Sequence, residues 1–281
     1  MSLCAIASVN HRTNFWIVEH ETVIRLGIFL GIFVVIASLE TVAPRRVRQQ
    51  SRKSRWFTNW SITVANALTL RAFAFAMPLL AVGAAIDAQS HGFGLFNNLD
   101  WPAWFEVFFA ILILDFAIWA QHLITHKVPI LWRLHWVHHT DVDMDVTTAI
   151  RFHPVEIALS MALKIGLVDV FGAAAIAVIM FEILLNGTAM FNHANIRLPL
   201  WLDAIVRRVL VTPDMHRVHH SVHREEHDSN YGFALSIWDR LFGTYIAQPK
   251  AGHDQMQVGL EWRDDRPSRL GWALGLPFRK P

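Results

Sequence analysis

The sequence is poor in cysteine and in charge. Its 281 residues include one cysteine, Cys4, which excludes an internal disulfide and the cysteine-based metal motifs. Charged residues make up 17% of the chain and hydrophobic residues 53%, with a mean hydropathy of +0.32. That composition is too apolar for an ordinary soluble domain. The net charge is only +2 and no folded basic domain is present, which argues against nucleic-acid binding.

Long apolar stretches predict several membrane crossings. Residues 24–42, 62–86 and 104–124 each approach or exceed the length of about 20 residues that a bilayer crossing needs. Basic residues are bunched between positions 45 and 55, and the positive-inside rule predicts that this loop lies in the cytoplasm. The loop at 87–101 contains no Lys or Arg, as expected for the opposite side.

A fourth apolar stretch, residues 155–191, is too long for one crossing. As a single helix it would extend about 55 Å, nearly twice a bilayer core of about 30 Å. One crossing would also leave the histidines on its two sides on opposite faces of the membrane. We therefore predict a hairpin with a break near residues 169–172. The alternative is one long tilted helix with two unrelated histidine sites.

These stretches predict one domain over residues 1–281 and an all-α fold. The expected architecture is an integral membrane helical bundle of about four membrane helices, one pair forming the hairpin, with a cytosolic histidine-rich cap. Within it we distinguish N-terminal membrane helices and the basic loop at 1–104, a histidine-rich region at 105–246 and a C-terminal tail at 247–281.

Nine histidines fall into four short clusters. They are His122-x3-His126, His135-x2-His138-His139, His193 and His216-x2-His219-His220. Positions i, i+3 and i+4 of a helix share one face, so each HxxHH triplet is expected to point three imidazoles at one spot. Neutral imidazole is a common transition-metal ligand. Nine imidazoles exceed the four ligands of tetrahedral zinc and suit two ions of higher coordination number.

Four further residues are predicted to support these ligands. Asp115 is expected either to accept the second N–H of a ligand histidine or to pair with Arg71. His153 is expected to cap a helix or to support the ligands, with a tenth-ligand role as the alternative, and Glu156 to orient it. Asn195 is expected to hydrogen-bond a ligand or a metal-bound water.

Other histidines are predicted to lie in solvent. His223 and His227 extend the last cluster, but they fall in a run of charged residues. Four more lie outside any cluster and are predicted to be surface residues: His11, His20, His91 and His253.

These motifs resemble those of the fatty acid hydroxylase/sterol desaturase superfamily, in its bacterial form. The resemblance covers roughly residues 105–246 and rests on the ordered clusters and three further motifs. Those motifs are Arg151-Phe-His153-Pro154-Val-Glu156, Asn192-His193-Ala-Asn195, and the ending Asn230-Tyr-Gly232 with Ile237-Trp-Asp-Arg-Leu-Phe-Gly-Thr-Tyr245. The resemblance implies about four membrane helices, a cytosolic histidine cap and a di-iron centre that activates O2.

The resemblance also implies the ligands and the reaction. All nine clustered histidines match the metal motifs, whereas Arg197 stands where some members have another histidine and Leu123 where many have Arg. The implied cofactors are two Fe2+ ions, with O2 as co-substrate. The implied reaction is hydroxylation or desaturation of a fatty acyl, sterol-like or ether lipid at the inner membrane of a bacterium.

Electrons are predicted to come from a separate protein, because the chain has no Rossmann fingerprint and no P-loop. The expected donor is a ferredoxin- or cytochrome b5-like protein with its reductase, docking near residues 45–55 and 207–217. Two other functions are open. One is a zinc-dependent membrane hydrolase, although HExxH is absent. The other is a non-enzymatic metal- or haem-binding membrane protein.

Overall fold

The computed structural model describes residues 16–76 and 80–279 of the chain. Seven longer helices form its body: α1 Glu21–Val42, α2 Arg52–Ala76, α3 Ala81–Ser90, α4 Ala103–Lys127, α5 Pro129–His139, α6 Pro154–Phe171 and α7 Ala175–His193. Six short helices follow: α8 Leu200–Val206, α9 Pro213–His219, α10 Arg224–His227, α11 Ile237–Leu241, α12 Gly252–Gln255 and α13 Leu270–Gly275. Four 3-10 turns lie at Phe96–Asn98, Thr148–Ile150, Arg266–Ser268 and Leu276–Phe278.

Three of these helices are long and apolar enough to cross a membrane. They are α1, α4 and α7, with mean hydropathies of 2.4, 2.0 and 1.6. Helices α2 and α6 lie alongside them, and α6 carries three charged residues in its 18 positions. The prediction of an all-α membrane bundle is confirmed.

The predicted second span, residues 62–86, has the wrong bounds. The structure has α2 at Arg52–Ala76 and a separate α3 at Ala81–Ser90. Pro78 falls between them, where a proline disfavours a continuous helix, and residues 77–79 lie outside the described residues. Helix α2 begins ten residues before the predicted span. Its first turns belong to the polar part of the molecule around the clustered histidines, called the cap, where Arg55 binds Asp141 at 2.7 Å.

The predicted hairpin in the fourth apolar stretch is confirmed. Helix α6 ends at Phe171, and Gly172 adopts a left-handed conformation with φ 65° and ψ 39°. Such a residue terminates a helix, and glycine adopts this conformation without a Cβ penalty. Gly94 approaches the turn so closely that a Cβ there would lie 2.2 Å from the Gly172 nitrogen. Helix α7 then returns and brings His193 back to the end of the bundle where α6 began.

The C-terminal region packs against α5 of the polar cap. Trp272, Ala273 and Leu276 pack with Val137 of α5 in one buried cluster. The amide of Gly259 donates to the carbonyl of His220 at 2.9 Å. Residues 247–279, the described part of the predicted C-terminal tail, therefore pack against two of the segments that hold histidine clusters.

Candidate metal centre

Helix ends and prolines place the histidine clusters. His122 and His126 occupy the last turns of α4, which projects from the membrane bundle. Helix α5 starts directly afterwards, with Pro129 at its first position, where a missing N–H costs little. Helix α9 has the same start, and the Thr212 side chain accepts a hydrogen bond from the Met215 amide. Because each helix begins at a fixed residue, the rotation of its HxxHH triplet about the helix axis is also fixed.

The structure brings all nine clustered histidines together, in two adjacent groups. The first group, called the five-histidine group, contains His122, His126, His135, His139 and His219. The second, called the four-histidine group, contains His138, His193, His216 and His220. Within each group one ring nitrogen of every histidine lies within 4.8 Å of the others, and all nine side chains are buried.

The expectation that each HxxHH triplet points at one spot is wrong. Positions i and i+4 share a group, whereas position i+3 joins the other: His135 and His139 face one group and His138 the other. The last triplet divides in the same way, with His219 separated from its two neighbours. Adjacent helical residues point about 100° apart at 3.6 residues per turn. Two adjacent histidines therefore diverge and line two sites.

The nitrogen spacings fit ligands of a shared ion. The Nε2 atoms of His122 and His135 are 3.1 Å apart, and those of His138 and His193 are 3.0 Å apart. Two imidazoles bound at about 2.1 Å place their nitrogens roughly 3.0 Å apart at a right angle and roughly 3.4 Å apart at a tetrahedral angle. The observed values suit an ion with more than four ligands.

Several histidines are held through their second nitrogen. The Nδ1 atom of His135 lies 2.6 Å from a carboxylate oxygen of Glu156, and Nδ1 of His122 lies 2.8 Å from the Tyr231 carbonyl. His193 and His219 make the same type of contact with backbone carbonyls, each at 2.7 Å. An N–H that donates from Nδ1 leaves Nε2 as the free base, which is the arrangement that supports metal ligation.

Other ring nitrogens have no hydrogen-bond partner although they are buried. Both nitrogens of His126 and of His220 are in this position, as is Nδ1 of His138. A buried polar atom without a partner is costly, and a metal ion would satisfy one nitrogen of His126 and one of His220. The donor set of imidazole nitrogens suits a first-row transition metal rather than magnesium or calcium. The residues present thus fit the predicted metal centre.

Burial also keeps the imidazoles in the uncharged form that metal ligation requires. The pKa values of His138, His139 and His220 are lowered well below the usual value, first by desolvation and then by the neighbouring histidines. The pKa values of His216 and His219 are lowered in the same direction, again chiefly by desolvation. At neutral pH these rings are uncharged, so their lone pairs are available to a cation.

Asp115 and Asn195 do not contact the histidine groups. Asp115 accepts hydrogen bonds from the Trp238 indole at 2.8 Å and the Leu235 amide at 3.3 Å. Neither proposed role, with a ligand histidine or with Arg71, matches these contacts. The side-chain oxygen of Asn195 accepts from the Arg46 amide, and its side-chain nitrogen donates to the Arg46 carbonyl, each at 2.9 Å. Both residues therefore hold the cap to the membrane helices.

His153 and Glu156 lie at the start of α6, but they serve different partners. His153 caps the helix by accepting from the Val155 amide at 3.2 Å, as one alternative predicted, and it belongs to neither histidine group. Glu156 was expected to orient His153. Its carboxylate instead binds His135, because the ring nitrogens of His153 already face the Val155 amide and the Leu274 carbonyl.

The predictions for the outlying histidines are partly wrong. His223 is exposed, whereas His227 is buried and donates from Nδ1 to the Ser221 carbonyl at 3.0 Å. His227 lies beside the five-histidine group, with its ring centre 6.0 Å from that of His126. His253 is also buried, and burial lowers its pKa to about 4. His20 and His91 lie in exposed or partly exposed positions, and His11 is outside the described residues.

Much of the basic run is engaged in contacts within the fold. Arg55 is 2% exposed and binds Asp141 and Asp145. Arg46 donates to the carbonyls of His253 and Met256, and Arg207 and Arg217 are buried as well. These contacts tie part of the run around residues 45–55 to the cap, whereas Lys53 is exposed.

A cavity of about 370 Å³ reaches the metal centre from the membrane bundle. His122, His135 and Glu156 line it at one end. Sequence reasoning missed the other residues that give it polarity. Their charge within otherwise apolar stretches is the signal that could have identified them. These residues are Arg25, Lys164 and Glu182.

Known proteins share this region of the chain. Residues 107–244 match the family described as fatty acid hydroxylase. The chain is 26% identical over 229 residues to an ornithine lipid hydroxylase of Rhizobium tropici, covering 79% of this chain and 67% of that protein. It is 33% identical over 155 residues to the alkylglycerol monooxygenase of Homo sapiens, covering 54% of this chain and 33% of that protein. A fatty acid hydroxylase of Lecanicillium is 26% identical over 205 residues, covering 64% and 53%.

No solved structure is significantly similar to the chain. The chain spans only about a third of the alkylglycerol monooxygenases, but it spans about two thirds of the ornithine lipid hydroxylase. The region matched by the family contains both histidine groups in full. The chain therefore belongs to the fatty acid hydroxylase/sterol desaturase superfamily, as its motifs predicted.

Proposed function

We propose that this protein is a membrane-bound di-iron oxidoreductase that uses O2 to hydroxylate or desaturate a lipid. The observation that carries the proposal is the division of nine buried imidazoles into groups of five and four. Similarity to proteins named as lipid hydroxylases and as a monooxygenase supports the reaction class. The cavity that joins the centre to the membrane bundle supports a lipid substrate.

The two groups would hold one iron each. Iron with nitrogen ligands can change oxidation state, which redox-inert zinc cannot. Bound iron supplies the activation of O2 that attack on an unactivated C–H bond requires. For hydroxylation, one oxygen atom enters the C–H bond and the other leaves as water, with two electrons and two protons consumed. For desaturation, two hydrogens leave the lipid and both oxygen atoms become water, again with two electrons and two protons consumed.

The chain's own residues prepare this chemistry by positioning and by excluding water. Glu156 and the carbonyl of Tyr231 fix the rings of His135 and His122, so that each presents Nε2 to the centre. The ligand side chains are almost fully buried. Their burial keeps bulk water away and leaves the cavity as the route by which a substrate carbon reaches the two rings that line it.

The electrons must come from a separate donor protein. A ferredoxin- or cytochrome b5-like protein with its reductase would supply them. Docking at the two regions expected from sequence would use their exposed basic side chains, such as Lys53 and Arg208, because Arg55 and Arg217 are buried in ion pairs. We further propose that the histidine cap faces the cytoplasm of a bacterial inner membrane, where such donors are present.

Metal analysis and lipid analysis together test the proposal. Protein purified anaerobically after iron-replete expression is expected to contain two irons per chain. A strain lacking the protein is expected to lose an oxygenated or unsaturated lipid, and expression of the wild-type chain is expected to restore it. One ion per chain, or restoration of the lipid by protein loaded with zinc alone, would contradict the proposal and favour the hydrolase alternative.

A further inference from the structure

Three charged side chains line the cavity away from the metal centre, and with Glu21 outside the lining they form a series of alternating charges. Glu182 on α7 contacts Lys164 of α6 with one carboxylate oxygen and Arg25 of α1 with the other, each at 2.5 Å. Arg25 also binds Glu21 at 2.7 Å. The side chain of Glu182 is only 4% exposed and that of Lys164 11%. Ionisable groups inside a membrane bundle are costly and mark functional sites.

The charges lie well away from the histidines. Lys164 follows Glu156 by eight residues on α6, which corresponds to about 12 Å along a helix. Between the two ends, the lining of the cavity includes the polar side chains of Asn66, Gln121 and Ser160. A cavity built for a hydrocarbon chain alone would have an apolar lining. This one suits a polar part of a substrate.

A second cavity has the opposite character. It is an apolar groove of about 530 Å³ formed mainly by α4 and α6. Its outer edge includes Ile124, Leu159 and Leu163, each at least 40% exposed. The groove opens on the side of α4, a helix apolar enough to cross a membrane, so a hydrocarbon chain can enter it from the bilayer.

The two cavities have a common wall between α4 and α6, beside the metal centre. They share three lining residues: Gln121, Thr125 and Glu156. Gln121 precedes the predicted ligand His122 in the chain, and Glu156 binds His135. A molecule that occupied both cavities would therefore pass the metal centre at the point where its polar part joins its apolar part.

We propose that the substrate is a lipid with a zwitterionic head group, and that oxidation occurs within a few bonds of the junction between head group and chain. The head group lies in the polar cavity and the hydrocarbon chain in the apolar groove. Glu182 pairs with the cationic group of the lipid, and Lys164 with its anionic group. This inference rests on the proposed function and specifies its substrate class.

Charge balance favours a zwitterion over a singly charged head group. The cluster has two acidic and two basic side chains, so its formal charge is zero. A head group with a net charge would leave that charge uncompensated in a region of low dielectric, where the penalty is large. A neutral head group could accept hydrogen bonds from the Lys164 ammonium, which has three N–H groups, but these are weaker than charge-assisted bonds to an anionic group.

Binding of matched lipids tests the inference without requiring turnover. The probes share a palmitoyl chain and differ in the head group: N-palmitoyl-ornithine is zwitterionic, palmitate is anionic and monopalmitoylglycerol is neutral. Metal-loaded protein in detergent is titrated with each, following tryptophan fluorescence. The zwitterionic probe is expected to bind at least tenfold more tightly than the other two. With O2 and a reductant, mass spectrometry is expected to place the change near the junction.

Two double variants separate recognition from folding. Lys164→Met with Glu182→Met removes one acid and one base together, and leaves Arg25 paired with Glu21. This variant is expected to lose the tenfold preference and to retain its metal. The matched control is Lys250→Met with Glu225→Met, which removes an exposed Lys–Glu pair of 3.3 Å and is expected to keep the preference.

The outcomes distinguish this inference from the proposed function. Equal binding of the three probes by the wild-type protein would overturn the inference whatever the variants do, as would oxidation in the middle of the palmitoyl chain. Selective binding of the zwitterion that is lost in the Lys164/Glu182 variant would support it. Selective binding without oxidation of any lipid would leave the recognition site standing and would refute the proposed oxidoreductase.

Discussion

Each proposed ligand contributes through one free nitrogen, and its neighbours decide which nitrogen that is. Four of the nine histidines are held from Nδ1 by an oxygen atom at 2.6 to 2.8 Å. Among the others, Nδ1 of His139 and of His216 has no hydrogen-bond partner, whereas Nδ1 of His126 lies 3.4 Å from a carboxylate oxygen of Asp228. Removal of a ligand and removal of its hydrogen-bond partner should therefore lower the metal affinity by different amounts.

Removal of a ligand should abolish the centre, whereas removal of a neighbouring exposed histidine should not. His138→Ala and His219→Ala each open a coordination position in a different group, so metal content should fall and activity should drop to background. His223→Ala is the control, since exposed substitutions usually change stability by less than about 0.5 kcal/mol. Metal content and product formation, normalised to protein level, measure both effects. Complete metal loss in the control would show that the ligand assignment is wrong.

Loss of the Glu156 carboxylate should weaken the centre without destroying it. In Glu156→Gln the charge that orients His135 disappears, and losses of this kind typically lower metal affinity or activity about 10–100-fold. Competition with a chelator measures the affinity. Glu225→Gln, at an exposed position, is the control and should match the wild type. An unchanged affinity in Glu156→Gln would mean that packing alone orients His135.

The convergence of the nine histidines could be predicted from sequence because positions i and i+4 of a helix share a face, whereas the division of each HxxHH triplet between two groups was not predicted. The partners of the supporting residues could not be predicted either. Glu156 meets His135, and Asn195 meets the backbone of Arg46, across 21 and 149 positions of the chain. The burial of His227 was missed for the same reason, because residues from α4 and α5 cover it. Such contacts depend on tertiary packing that local patterns do not encode.

At the scale of helices, the turn between α6 and α7 determines whether the histidines meet. Its position was predictable, because a stretch too long for one crossing must break and Gly172 is the residue suited to the break. The early start of α2 was not, because Arg55 is drawn into the cap by Asp141 and Asp145, which lie far away in sequence. A basic run that looks solvated in sequence is thus part of the cap.

Substitution of Gly172 should destabilise the hairpin. A non-glycine residue in the left-handed conformation costs roughly 1–2 kcal/mol, and a Cβ at this position would lie 2.5 Å from the Phe93 carbonyl oxygen. Gly172→Ala should therefore lower the melting temperature measured in detergent. Gly166→Ala, within α6, is the matched control: no atom lies within 4 Å of its added Cβ, and alanine favours the helix by about 0.5–1 kcal/mol. Equal melting temperatures for both variants would refute this account of the turn.

At the scale of the whole molecule, convergence of the clusters fixes which parts share a side of the membrane. Lys127 precedes the hairpin and Arg224 follows it, yet both carry a side chain that reaches Asp228. Single cysteines at these positions, in a Cys4→Ala background, should react with a membrane-impermeant reagent from the same side. A cysteine at His91, beyond the far end of α3, should react from the opposite side. Reaction of the first two from different sides would disprove the hairpin topology.

The division of each triplet between two groups has a consequence for metal loading. Helices α5 and α9 each contribute to both groups, so an ion that orders these helices in one group also reduces the ordering cost at the other. Coupling of this kind is positive cooperativity. At a limiting iron supply, native mass spectrometry should then show chains with no ion and chains with two, and few with one. A metal-starved cell would keep a smaller number of complete centres rather than many half-filled ones.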